Sequence, residues 1–194
     1  CDDLINKAGS TLFQNHSNSF VLSNALSYHY EDVIEIPKEY SGYSILSENG
    51  EIIHTQDING RLYCKVSLPP LSFTTFRKGE KLKQSANNAS GYVLENELIK
   101  YTFSNDGTLI SALDKETNNG LLDGPGNVLS LYEDRPLNWD AWDIDFYYKE
   151  SLLETAKTNK IKQVISGPVL SSLEFHYTVG NSILKQKITL GNQS

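Results

Sequence analysis

From Phe20 onward, most apolar residues of this chain recur at every second position in short runs, and turn residues cut each run. A period of two fits strands and not amphipathic helices, which repeat every 3.6 residues. Residues 19–23, 32–36, 42–46, 51–55, 61–68 and 72–76 are rich in Val, Ile, Tyr, Phe and Thr. They are separated by Pro37, Asn49-Gly50, Asn59-Gly60 and Pro69-Pro70. Such runs predict short strands. Both Asn-Gly pairs predict hairpin turns, since Asn and Gly tolerate positive φ. Six short strands are enough for a compact β-sandwich.

The period lapses at residues 78–91, KGEKLKQSANNASG, which carry almost no apolar side chain and read as a linker. A second β run follows, with strands expected at 92–95, 98–103, 108–114, 128–132, 161–165, 170–179 and 182–190. Asn105-Asp106-Gly107 and Gly180-Asn181 supply turns, and residues 117–127 form a Gly-rich loop. One helix is expected, over residues 2–13. Leu4, Ile5, Ala8 and Leu12 share a face there, and Asp2 and Asp3 suit a helix N-terminus. Gly9 weakens it by roughly 1 kcal/mol relative to alanine. The expected plan is residues 1–18 as the end of a helical element with its linker, 19–77 as a small β-sandwich, 78–91 as a linker, and 92–194 as the start of a larger β domain.

Seventeen basic residues against 24 acidic ones give a net charge of -7, which argues against nucleic acid as a partner. No apolar run reaches the ~20 residues that span a bilayer, so no membrane segment is expected. Cys1 and Cys64 make neither a metal-ligand spacing nor a disulfide framework, and Cys64 in Leu62–Val66 reads as a buried free thiol. A reducing, cytoplasmic setting is expected. The chain has no methionine, not even at position 1, so it reads as a piece of a longer protein.

The chemistry is concentrated in residues 131–145, LYEDRPLNWDAWDID, which hold both tryptophans and five carboxylates against one arginine. Aromatic faces pack on the C–H face of a pyranose, and carboxylates accept its hydroxyls. Trp139, Asp140, Trp142 and Asp143 are thus candidate sugar contacts, with Arg135 as their ion-pairing neighbour. Alternatively the tryptophans fill a core and the acids face water. Asp140, Asp143 and Asp145 could supply the paired carboxylates of a glycosidase, and Asp-rich loops also bind calcium. In an extended chain Trp139 and Asp143 point one way and Asp140 and Trp142 the other, so only a bend gathers them. The histidines (His16, His29, His54 and His176) are isolated, so no metal site is expected, and no nucleotide-binding motif or nucleophile elbow is present.

The 131–145 stretch resembles a signature in the C-terminal β region of glycoside hydrolase family 38, the α-mannosidases. Residues 20–28 (FVLSNALSY), 66–72 (VSLPPLS), 94–101 (LENELIKY) and 113–116 (LDKE) resemble further segments in that family's order. Ser23 and Tyr28 depart from its usual Phe and Trp. The resemblance implies a mainly β fold: a short N-terminal helix, a small β-sandwich, then part of a galactose-mutarotase-like supersandwich. It implies a parent enzyme that hydrolyses α-mannosides with retention, using an aspartate nucleophile and a zinc ion in a missing N-terminal catalytic domain. No catalytic residue or zinc ligand transfers to this chain, which on its own is expected to be inactive. The parent's partners would be its α-mannoside substrate and possible further copies of itself. Two rivals remain open: a free-standing carbohydrate-binding β-module, and a purely structural β-domain.

Overall fold

The computed structural model describes residues 2–12, 18–81, 91–139 and 141–192. The chain forms two compact units, Cys1–Ser85 and Ala86–Ser194. Among the described residues it is mainly β, with one α-helix, α1 (Asp2–Leu12), as the periodicity of its first residues requires.

The first unit is a sandwich of two antiparallel sheets. One has the order β1 (Ser19–Asn24), β7 (Ser72–Lys81), β3 (Tyr43–Leu46), β4 (Ile52–Ile53). The other has the order β2 (Tyr30–Ile36), β6 (Arg61–Leu68), β5 (Thr55–Ile58). Alternation along β6 explains the packing: Leu62, Cys64, Val66 and Leu68 are buried, and the residues between them are not. They meet Ile36 from their own sheet and Ile45 and Phe76 from the facing one. Phe20 stacks on Phe76 with ring centroids 5.3 Å apart and meets Tyr40 edge-on at 5.0 Å.

The hairpin at Asn59-Gly60 forms as its chemistry dictates, with both residues at positive φ (54° and 81°) and Ile58 paired with Arg61. At Asn49-Gly50 only Gly50 is left-handed, and Ser47 closes a wider loop by exchanging bonds with Gly50 and Glu51. The run expected as one strand over 51–55 is split. Ile52–Ile53 pairs with β3, whereas Thr55 begins β5 in the opposite sheet. The Asn59-Gly60 turn sets this register, because it places Thr55 opposite Cys64.

The second unit contains a sheet of order β11 (Asn119–Gly120), β10 (Leu109–Asp114), β9 (Ile99–Phe103), β8 (Val93–Glu95). It also contains the hairpin pair β12 (Ser130–Tyr132) and β13 (Leu152–Thr155), and the sheet β14 (Lys157–Ile165), β15 (Leu170–Val179), β16 (Ser182–Gly191). Leu173, Phe175 and Tyr177 alternate inward from β15 and join Leu94, Phe103 and Ala156 in one core. A polar clasp closes one side of it. Asn127 Nδ2 donates to the Gly107 carbonyl at 2.8 Å, and Gln186 Nε2 donates to Asn127 Oδ1 at 2.7 Å. The Tyr177 hydroxyl donates to Gln186 Oε1 at 3.1 Å. Gly107, at φ 89°, lies so close to Tyr177 that an added Cβ would stand 2.6 Å from its hydroxyl.

Candidate functional site

The acidic-aromatic stretch is a long loop carried on the β12–β13 hairpin. Ser130 pairs with Thr155 and Leu131 with Glu154, and the Glu133 amide donates to the Ser151 carbonyl at 2.9 Å, closing the neck. Below the loop, Tyr132 packs edge-on against Tyr148 with centroids 5.1 Å apart. A short 3₁₀ helix, Phe146–Glu150, returns the chain to β13.

Within the loop the chain is bent, not extended. Trp139 adopts a left-handed conformation (φ 61°), and its carbonyl accepts the amides of Trp142 at 2.7 Å and Asp143 at 3.1 Å. One turn therefore carries Trp139, Trp142 and Asp143. Trp139 is 75% exposed and Trp142 90%, so neither is a core residue of this chain. Asp143 is exposed, and its Oδ1 accepts the Ile144 amide at 2.9 Å. Arg135 ion-pairs with Glu133 at 2.6 Å, an exposed pair that stiffens the neck but contributes at most about 1 kcal/mol. Asp140 lies outside the described residues. Leu137, Ile144 and Phe146 are also exposed, so the loop presents a broad apolar surface studded with acids.

Asp145 holds the bend. Its Oδ2 accepts the Tyr147 hydroxyl at 2.7 Å and the Leu137 amide at 2.8 Å, tying the two limbs of the loop together. Those bonds, the Tyr147 one foremost, hold its carboxyl below the usual aspartate range, and the same carboxylate pushes the Tyr147 phenol upward. A carboxylate engaged in this way is a strut for the loop and a poor candidate for the acid or nucleophile of a glycosidase. Sequence reasoning placed Asp145 among the catalytic candidates; the Asp-x-Tyr spacing was the signal for its actual partner. Among the described residues, no three His, Cys, Asp or Glu side chains converge on a point that could hold a metal ion.

Residues 94–194, more than half of the chain, match the family model of the glycosyl hydrolases family 38 C-terminal domain. The chain belongs to glycosyl hydrolase family 38. It is also 31% identical over 180 residues to Alpha-mannosidase G of Dictyostelium discoideum, a match that covers 83% of this chain and 16% of that relative. The whole acidic-aromatic loop falls inside the family 38 match, on the β12–β13 hairpin of the C-terminal domain. The described residues contain no helix long and apolar enough to cross a membrane.

Proposed function

We propose that this chain is a non-catalytic part of the C-terminal β region of a retaining α-mannosidase, and that its exposed loop helps to shape the sugar-binding cleft. The observation that carries this reading is the single turn bearing Trp139, Trp142 and Asp143, with both indoles open to solvent. Large aromatic faces left in water cost free energy unless they serve a contact. Here they stand beside carboxylate oxygens, the pairing that grips a pyranose. Trp139 and Trp142 would take the C–H face of a mannosyl unit, and Asp143, with Asp140, would accept its hydroxyls. Arg135 would keep Glu133 neutralised beside them.

On this reading the nucleophile and the zinc ion belong to a catalytic domain outside these residues, and the larger β domain is of galactose-mutarotase-like type. The buried free thiol of Cys64 supports a reducing, cytoplasmic location. In the parent enzyme, Trp142→Ala and Asp143→Asn should each raise KM or lower kcat for α-mannosides by about tenfold, the loss of one stacking or charged contact. Asp140→Ala should act in the same direction. Unchanged kinetics at unchanged melting temperature would remove the loop from the cleft.

The exposure of both indoles also suits a carbohydrate-binding module that acts by itself. Titration of this chain with mannosides separates the two readings. Millimolar or tighter binding favours the module, and no binding favours a wall that works only with its catalytic partner.

A further inference from the structure

The sheet β14–β15–β16 has a second face, turned away from the core residues Leu173, Phe175 and Tyr177. Its register puts Lys157 opposite Thr178, Lys160 and Lys185 on either side of His176, and Lys162 and Lys187 on either side of Glu174. Residues paired directly across strands project to the same face. Five lysines therefore share one surface with a single carboxylate, and between residues 157 and 191 five lysines against one glutamate give +4 in a chain of net -7. All five lysines are exposed. Among the described residues none of the five lies within ion-pair distance of an acid. Elsewhere Lys65, Lys100 and Lys115 are all paired. Glu174 is already held by His176 Nε2 at 2.6 Å.

Strands about 4.8 Å apart place the flanking lysines of each row roughly 10 Å from one another, and successive rows lie about 7 Å apart along the strands. Uncompensated ammonium groups at this density repel one another, and a multivalent anion relieves the repulsion. Lysine meets phosphate as a point charge, without the planar fork of arginine. The paired positions on this face include no arginine, and their one ring, the His176 imidazole, is held by Glu174, so successive bases have no stacking platform, and the net negative chain repels a long polyphosphate backbone. Thr178 and Thr189 offer hydroxyls beside the lysines, which suits a ligand that carries hydroxyls as well as charge.

We propose that this outer face binds the phosphate groups of a phosphorylated sugar chain, separately from the tryptophan loop. The sugar part of that identity rests on the α-mannosidase reading; the anion part rests on the lysine rows alone. The test titrates the full chain, with NMR of backbone amides in β14 and β16. The probes are an oligomannoside bearing a phosphate monoester, the same oligomannoside after phosphatase, inorganic phosphate, and a single-stranded oligonucleotide.

The phosphorylated oligomannoside should bind about tenfold or more tighter than its dephosphorylated form and weaken as salt rises from low to physiological strength. Lys160→Gln with Lys162→Gln should abolish the difference, and Lys160→Arg with Lys162→Arg should retain it. Inorganic phosphate should shift the same amides more weakly. Equal binding of both oligomannosides, tighter binding of the oligonucleotide, or full binding by the double glutamine variant would each overturn the proposal. Cleavage of neutral α-mannosides by the parent enzyme is measured separately. Its absence would remove the mannosidase reading while leaving the phosphate titration intact.

Discussion

The Tyr147 hydroxyl donates to Asp145 Oδ2 at 2.7 Å, and the same oxygen accepts the Leu137 amide at 2.8 Å. One carboxylate thus fixes the exposed loop at both ends of its bend. Because the folded loop depresses the Asp145 pKa, its contribution is complete above the ordinary aspartate value of 3.8 and is lost as pH falls through the lower folded value. The Tyr147 phenol behaves oppositely: it donates below its ordinary value of 10.0, and the bond is lost as pH rises through the higher folded value. Protection of the Leu137 amide, its exchange rate relative to a free amide at the same pH, should therefore hold between the two ordinary values and fall only as pH passes the lower Asp145 value or the higher Tyr147 value. Tyr147→Phe should move the Asp145 carboxyl back up, as read by carbonyl NMR. An unmoved carboxyl would mean that the phenol is not its main partner.

Gly107 and Asn127 should be the least tolerant loop positions of the second unit. Gly107 combines φ 89° with a Cβ position 2.6 Å from the Tyr177 hydroxyl, so Gly107→Ala meets both strain and collision. A cost of about 2–4 kcal/mol in urea unfolding is expected. Tyr177→Phe should not fully rescue it, since ring carbons of Tyr177 would still stand 3.0 and 3.1 Å from the new methyl. Asn127→Ala should cost about 2–3 kcal/mol, by taking the partner from Gln186 Nε2 and from the Gly107 carbonyl and by losing an Asn suited to its φ of 52°.

Much of the fold was legible because alternation and burial agree residue by residue. In β6, and in β15 from Leu173 to Tyr177, every second residue is buried, and the Asn59-Gly60 turn fixes its own register. Sequence reasoning failed where tertiary context overrides local pattern. β13 was missed because all of Leu152–Thr155 are exposed, so no alternation marks it; only pairing with β12 makes it a strand. β7 continues past the expected Phe76 through the polar Arg77–Lys81. Gly79 there lets the backbone approach Ser44, and the Lys78 amine sits 3.9 Å from the centre of the Tyr43 ring. At the candidate site the residue types were visible, but the bend was not. Nothing in the local sequence announces a tryptophan in a left-handed conformation.

The buried thiol of Cys64 should be chemically silent in the folded protein. Its side chain is wholly enclosed in the sandwich core, and burial pushes its pKa up to about 12, so essentially no thiolate exists at neutral pH. In a Cys1→Ser variant, where Cys64 is the sole thiol, a reagent such as DTNB should react only at the rate of unfolding, tracking urea concentration. Fast stoichiometric labelling in buffer would show that the two sheets of the first unit open readily.

Ser172 offers a test of the opposite sign. It is fully buried in β15, between Ile165 and Thr189 across the strands, and its hydroxyl has no hydrogen-bond partner among the described residues. Removing an unsatisfied buried hydroxyl relieves its desolvation cost. Ser172→Ala should accordingly be neutral or stabilising by up to about 1 kcal/mol in urea unfolding. A clear loss of stability would show that the hydroxyl has a partner in solution.

Trp139 joins stability to function. A bulky residue at φ 61° costs roughly 1–2 kcal/mol relative to glycine, and this one packs little in return, being 75% exposed. Strain of this kind persists where the side chain serves a purpose outside the fold. Trp139→Gly should then leave stability unchanged or raise it by about 1 kcal/mol, the relief of strain being partly offset by the freer unfolded chain. The same substitution in the parent enzyme should weaken α-mannoside binding, seen as a higher KM with the melting temperature held or raised. Trp139→Ala separates the two effects, because it removes the indole but keeps the strain. Equal loss of binding in both variants, with stability gained only in the glycine variant, assigns the indole to the ligand and the turn to its presentation. Loss of stability in both would place Trp139 in the packing of the loop instead.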